Sequence, residues 1–385
     1  MGRMESVWLQ AEGCNLEDFR RIVERETELA DYPNASALNK NVLVYNSVEL
    51  GAVSDDQRRE VQAELIHALR HGPGVVMFTK AFPDADVVDR ASAAFREMIA
   101  AQHAGGMTAG DHFARPGAND RVWNALEKLA LTDPRTFCDY YANDIIALIA
   151  EAWLGPAYQL TSQINVINPG GAAQEPHCDY HLGFQTNEVS QQYPTHVHEL
   201  SAVLTLQGAI AHVDMPVESG PTMYLPYSQQ HDQAYLAWRH PDFSRYFAEH
   251  HVQFPLAKGD AVFFNPKLFH AGGHNKTKDI QRMANLLQIS SAFGRAMESV
   301  DREAMTNAVI PELQRKAFSE REVAHVIAAC ADGYPFPTNL DRDQPVGGLA
   351  PESQAAIATR CVAESWPGAR LASELAAHAA RRRTR

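Results

Sequence analysis

Between residues 158 and 292 the chain is cut into short apolar runs by glycine, proline and asparagine. "YQLTSQINVINPGG" alternates and stops at a Pro-Gly-Gly turn, and "ELSAVLTLQGAIAHVDM" has the apolar run of a buried strand. "SGPTMYLPYS" reads as turn, short strand, turn. "VQFPLAKGDAVFFNPKLFHAGGHN" reads as two strands around Lys258-Gly259-Asp260, a hairpin-type turn, and "RMANLLQISSAF" closes the set. Many short strands with turns between them fit a β-sandwich or barrel rather than a parallel sheet. This stretch limits the possible folds more than any other.

The flanks have helical periodicity. "NLEDFRRIVERETELADY" is amphipathic with Asn15 as a cap, and "SDDQRREVQAELIHALRHG" opens on Ser54 and repeats its apolar residues at Val61, Leu65, Ile66 and Leu69. "NVLVYNSVEL" and "GVVMFTKAF" are short strands, "DADVVDRASAAFREMIAAQHA" is a further helix, and two more helical stretches fall within 118–154. After about 295 the pattern is helical again, with a proline-rich stretch at 334–351. The expected organisation is a single α+β domain. Residues 1–157 supply N-terminal helices and short strands, 158–292 a mainly β core, and 293–385 a helical extension packed outside it.

Composition narrows the partners. The chain has 385 residues and a formal net charge of -13. Its only basic run is the terminal Arg381-Arg382-Arg383-Thr384-Arg385, which reads as a solvated helix end. Nucleic acid is not an expected partner, because phosphate neutralisation takes clustered Lys and Arg. No apolar run approaches the ~18–20 residues of a membrane span. No apolar h-region opens the chain, so neither membrane insertion nor secretion is expected. Cys14, Cys138, Cys178, Cys330 and Cys361 are scattered without a CxxC pair, which suits a reducing cytoplasm. "MGRMES" fits the myristoylation pattern loosely and reads as an ordinary chain start. The sequence carries no signal for oligomeric state.

The chemistry concentrates in "AQEPHCDYHLGF", residues 173–184. His177 and Asp179, two apart on a strand, point to the same side and can reach one ion. A 2-His-1-carboxylate iron face needs a third, distant histidine. "GDAVFFNPKLFHAGGHN" supplies His270 after a strand and a turn. Three protein ligands leave three octahedral positions for a cosubstrate and O2. Arg282, twelve residues beyond His270, opens "RMANLLQIS". A guanidinium holds a carboxylate by two parallel hydrogen bonds, which suits the far end of 2-oxoglutarate. Singly, each residue has a plainer reading: a polar turn, a satisfied polar side chain, a surface ion pair. Their combination and order favour the metal.

In these segments the chain resembles the phytanoyl-CoA dioxygenase-like branch of the Fe(II)- and 2-oxoglutarate-dependent oxygenases. The resemblance is carried by "GPGVVMFTKAFPDADVVDRASAAF", "LGPAYQLTSQINVINPGGAAQEPHCDYHL", "ESGPTMYLPYSQQH" and "KGDAVFFNPKLFHAGGHN…R", in the family's order over about 70 to 292. It implies a double-stranded β-helix (jelly-roll) core, His177, Asp179 and His270 as catalytic iron ligands, and Arg282 as the 2-oxoglutarate anchor. It further implies Fe(II), 2-oxoglutarate and O2 as cofactor and cosubstrates, with decarboxylation of 2-oxoglutarate to succinate and hydroxylation of a small or medium organic substrate. Asp179 is present, so no ligand position is vacated for a halide as in related halogenases. Pro226-Tyr227-Ser228-Gln229-Gln230-His231 departs from the shorter Pro-Gly-Ser-His of many relatives, and both terminal extensions are long. The founding members' substrate is therefore not carried over. The acidic chain lacks a basic cluster for a CoA nucleotide, which favours a substrate without CoA.

The remaining candidates each have two readings. Gln163 and Asn165 share a strand face and either hydrogen-bond the cosubstrate or substrate, or face solvent and satisfy backbone groups. Thr222, after the Gly-Pro turn, is a candidate contact for 2-oxoglutarate. Tyr180 and His181 either line the substrate pocket or simply pack. Ser228 and His231 read as residues that hold a loop, and Cys178 as a core side chain. His196-x-His198 lacks a spaced third ligand, so the polar stretch 183–200 reads as a mobile loop in the position of a lid. The competing functional class is a non-catalytic, cupin-like jelly-roll that binds a metal or small molecule, although the cupin ligand spacing is absent. A Jumonji-type protein hydroxylase is disfavoured by Arg282, since a lysine elsewhere typically anchors the cosubstrate there.

Overall fold

The computed structural model describes residues 7–106 and 118–385. The "MGRMES" start lies outside the described residues. Ten strands occur among them: β1 (Ala37–Asn39), β2 (Val42–Asn46), β3 (Val75–Thr79), β4 (Asn119–Val122), β5 (Gln159–Ile167), β6 (Thr205–Ala211), β7 (Met223–Tyr224), β8 (Ala261–Phe264), β9 (His270–Ala271) and β10 (Arg282–Ser290). Eight form one sheet in the order β1-β2-β3-β8-β6-β10-β5-β4, antiparallel except for β2 beside β3. Facing it is a ragged second sheet. β9 pairs with β7, His177 bridges to His270, and Tyr224 bridges to Val252.

From β5 onward the chain alternates between the two sheets. β5, β6, β8 and β10 lie in the large one; the segments at His177, β7, Val252 and β9 lie in the small one. That alternation is a double-stranded β-helix, and the fold is α+β with a jelly-roll centre. The Lys258-Gly259-Asp260 turn does not close a hairpin. Leu256 before it bridges to Met215, and β8 after it pairs with β3 and β6, so the turn carries the chain from one sheet to the other. The strands of the first 157 residues also do more than decorate the core. β1, β2 and β3 extend one edge of the large sheet and β4 the other.

The period-two pattern of β10 separates two environments. Arg282, Ala284, Leu286 and Gln288 face the interior cavity, whereas Met283, Leu287 and Ile289 join the outer core. Helices cover that outer face: Asp55–Arg70, Ala85–Ala104, three within 118–154 rather than two, and Arg302–Arg315 and Glu320–Cys330 from the C-terminal extension. Ser54 opens the first with a capping box to Gln57. Val61, Phe95, Phe137, Leu148, Ile164, Phe263, Val309 and Ile327 share one buried cluster. Residues from all three segments of the chain therefore share that cluster.

A polar network lies inside this apolar layer. His212 Nδ1 is 2.8 Å from Ser92 Oγ, and Nε2 is 2.8 Å from Tyr140 Oη. Ser92 donates its one hydroxyl proton to Val88 O at 2.7 Å, so it must accept from Nδ1–H. Nε2 then accepts from Tyr140, whose oxygen accepts in turn from Asn285 Nδ2 at 3.3 Å. Only neutral imidazole satisfies every partner. Burial first, then the Arg96 charge, pushes His212 down to about 3 against some opposition from Asp89. The folded value lies below the unfolded one, so the unfolded chain binds the extra proton. Stability is expected to fall as the pH drops from about 6.5 toward 3, with a slope from this group approaching ~1.4 kcal/mol per pH unit. Urea unfolding of His212→Asn, which does not titrate, should show a flatter acid limb than the parent; identical limbs would refute the assignment.

Candidate active site

Two segments distant in sequence carry the predicted ligands, and the backbone holds them together. His177 N donates to His270 O at 2.9 Å, His270 N to His177 O at 3.1 Å, and Asp179 N to Pro266 O at 2.9 Å. Immediately after Asp179, Tyr180 sits at φ 51°, a conformation that costs an L residue of order 1–3 kcal/mol. The chain turns away there, and the His-x-Asp segment ends at the site. The position of Ser228 supports its expected loop-holding part. It accepts from Phe269 N at 2.8 Å and donates to Leu225 O at 2.7 Å, which fixes the approach to His270.

The donor atoms converge. His177 Nε2 is 3.8 Å from one Asp179 oxygen and His270 Nε2 3.4 Å from the other. One donor atom from each of the three lies within 4.8 Å of the others. Each imidazole has its other nitrogen 2.9 Å from a main-chain carbonyl, His177 Nδ1 at Glu175 O and His270 Nδ1 at Leu268 O. A carbonyl only accepts, so Nδ1 carries the proton and each Nε2 lone pair faces inward. Burial, reinforced by the neighbouring His270, holds His177 below its ordinary value, which keeps it in the ligand form. Burial pushes the Asp179 carboxyl up, but His177, His270 and Gln207 outweigh it and hold it well below the usual carboxylate range. Two inward imidazole lone pairs and a carboxylate form a donor set that fits Fe(II) with positions left open.

Gln207 on β6 was not singled out from the sequence, yet its Nε2 donates to Asp179 Oδ2 at 2.5 Å. A glutamine inside an otherwise apolar strand was the available signal. Removing such an outer partner of a metal carboxylate typically costs 10–100-fold in affinity. Gln207→Leu is therefore expected to raise the Kd for Mn(II) by about that factor, measured by anaerobic calorimetry; an unchanged Kd would show that the bond does not orient Asp179.

The triad opens into a cavity of about 840 Å3 between the two sheets. Arg282 lies in its wall, 7% exposed, and its Nη1 has no hydrogen-bond partner among the described residues. Burial pushes its guanidinium down to about 10, opposed by Tyr224 and reinforced by the Arg121 charge. Thr222 and Tyr224 line the same cavity from β7 and the turn before it, in the facing sheet. They follow Gly220, at φ 73°, where an added Cβ would stand 2.5 Å from the His274 carbonyl. The orphaned Nη1 of Arg282 leaves this buried guanidinium able to donate to a carboxylate in the cavity. Gln163 and Asn165 also face the cavity, and Gln163 Oε1 accepts from Arg121 Nη1 at 3.0 Å. Arg121, over the Trp123 ring at 4.8 Å, was likewise not anticipated.

Tyr180 and His181 are not brought to the cavity wall. Tyr180 is buried beside Phe184, and His181 approaches Ser201 at 3.5 Å. The reversal after Asp179 redirects both. Cys178 packs in a separate apolar cluster and donates to Lys267 O at 3.1 Å. The stretch 183–200 is not a loop throughout. Asn187–Ser190 and Thr195–Val203 are helical, and His198 is buried with its Nε2 3.0 Å from Ser190 O. Helical hydrogen bonds and the burial of His198 order part of the stretch that reads as a loop in sequence.

A jelly-roll that gathers two histidines and a carboxylate beside a buried arginine defines the Fe(II)- and 2-oxoglutarate-dependent class of enzymes. Within that class the chain belongs to the phytanoyl-CoA dioxygenase (PhyH) family, whose model matches residues 57–284. The family uses Fe(II), 2-oxoglutarate and O2. No curated protein matches the sequence. Among solved structures, similarity extends to the epimerase SnoN in complex with Fe3+, alpha ketoglutarate and nogalamycin RO, at 19% identity over 62% of this chain and 85% of that one, TM-score 0.42. The alpha ketoglutarate dependent carbocyclase SnoK is 22% identical over 63% and 86%, TM-score 0.44. AviO1 from Streptomyces viridochromogenes Tue57 is 17% identical over 60% and 96%, TM-score 0.43. Among the described residues no helix is long and apolar enough to cross a membrane.

Proposed function

We propose that the protein hydroxylates a C–H bond of a small or medium organic molecule while 2-oxoglutarate is decarboxylated to succinate. The observation that carries this is the convergence of His177, Asp179 and His270 in one cavity with Arg282. Fe(II), when bound, supplies the oxidative chemistry with O2 and 2-oxoglutarate. The chain's own part is binding and orientation. The two imidazoles offer Nε2 because their Nδ1 protons are held by carbonyls, and Asp179 is kept ionised and aimed by Gln207. Arg282 serves as the carboxylate anchor, with Thr222 and Tyr224 beside it. Gln163 and Asn165 serve the cosubstrate or substrate from the β5 face. The cavity volume is in the range of small-molecule sites.

Aerobic incubation with Fe(II) and 2-oxoglutarate is expected to yield succinate, and a true substrate to gain one oxygen atom in its mass. Iron binding with no succinate, coupled or uncoupled, would sink the reading in favour of a binding jelly-roll.

A further inference from the structure

We infer that the cavity wall beside the metal triad selects a substrate that presents a hydroxyl or ammonium group to Gln207 and Gln288. This rests on the function proposed above and adds the chemical class of its substrate.

The orientation of Gln207 is not ambiguous. Amide oxygen and nitrogen are ordinarily assigned from their neighbours, and here the neighbour is a carboxylate, which accepts only. The end of Gln207 at 2.5 Å from Asp179 Oδ2 is therefore its NH2. Its Oε1 is then an obligate acceptor, and this atom is buried with no hydrogen-bond partner among the described residues. Gln207 is only 3% exposed. Gln288 is its register partner across the β6–β10 pairing, lines the same cavity, and also leaves Oε1 buried without a partner. Native interiors rarely leave such carbonyls unmet.

The cosubstrate does not meet this need. At neutral pH 2-oxoglutarate carries two carboxylates and a ketone, all acceptors, so it suits Arg282 and offers nothing to a glutamine carbonyl. An anionic substrate head is also disfavoured here, where two amide oxygens line the wall and Gln207 lies against the Asp179 carboxylate. The next cross-strand pair toward Arg282 is Ala209 with Leu286, and both line the cavity. The wall thus reads a hydrogen-bond donor next to the metal and an apolar body alongside it.

Four probes with one ring and different heads test this: cyclohexanol, cyclohexylammonium, cyclohexanecarboxylate and methylcyclohexane. Each is titrated anaerobically into the full-length protein loaded with Fe(II) and 2-oxoglutarate, following the ferrous 2-oxoglutarate absorption band. Formation of the band itself tests the proposed function. If no band forms, that function fails, and the head-group preference is read by calorimetry on the metal-free protein. Cyclohexanol and cyclohexylammonium are expected to bind at least about threefold more tightly than the other two, as one gained hydrogen bond implies. Gln207→Leu, at saturating metal, should erase the preference. Should that variant fail to fold or load, Gln288→Leu, which leaves the Gln207–Asp179 bond in place, should weaken the preference instead. Equal affinities, a preference for the carboxylate, survival of the preference in Gln207→Leu, or an unchanged preference in Gln288→Leu would each overturn the inference.

Discussion

Asp179→Ala is expected to weaken Fe(II) or Mn(II) binding by more than 100-fold and to take succinate formation below detection. Three protein donors make the site, and this substitution removes the anionic one. The cost should exceed the 10–100-fold that loss of an outer hydrogen bond brings, and a hundredfold corresponds to about 2.7 kcal/mol. The two histidines stay tied through main-chain bonds to each other and through Nδ1 to carbonyls, so the pocket should survive the change. Asp179→Glu, with the charge kept and one methylene added, should retain part of the affinity. Anaerobic calorimetry and a succinate assay read both variants. Full activity in Asp179→Ala would overturn the ligand assignment outright.

Arg282→Met should act in opposite directions on cosubstrate binding and on stability. Two charge-assisted hydrogen bonds, each worth about 1.5–3 kcal/mol, are lost, so the Kd for 2-oxoglutarate should rise by at least about 100-fold. Arg282→Lys should fall between, because an ammonium cannot make the parallel pair. In the absence of cosubstrate the same arginine is a buried cation with Nη1 unpartnered. Uncompensated buried charge is destabilising. Replacement by an apolar side chain of similar length should therefore raise the stability of the cosubstrate-free protein by about 1–3 kcal/mol. Thermal unfolding with and without 2-oxoglutarate separates the two effects. Cosubstrate should raise the Tm of the parent and leave that of Arg282→Met unchanged. A variant that still binds 2-oxoglutarate normally would remove Arg282 from the anchor position.

Much of the site was legible because its spacing has local physical meaning. His177 and Asp179 share a side because residues two apart on an extended chain must. Cys178 faces the other way for the same reason, into the cluster of Phe19 and Phe269. The face of Gln163 and Asn165 follows from the same alternation along β5. Neighbours in sequence do not decide where Tyr180 and His181 point, and neither lines the cavity. One backbone angle of 51° after Asp179 breaks the alternation, and no propensity announces it. The polar composition of 183–200 suggested a loop, but helical hydrogen bonds and the burial of Ser190 and His198 stabilise a different outcome.

By itself the sequence determined the candidate ligand types, their order, and the strand-rich centre that must bury two faces. These depend on side-chain chemistry and on short-range periodicity, both of which travel with the chain. Only the tertiary structure decided which strands became neighbours. It set β6 against β10 and so Gln207 against Gln288, it placed Gln207 on the Asp179 carboxylate, and it drew β1 to β4 into the large sheet. The reason is that a strand's pattern says which face is buried but not what it faces. That partner is chosen by the packing of segments scores of residues apart, where hydrogen-bond pairing and core volume are satisfied together.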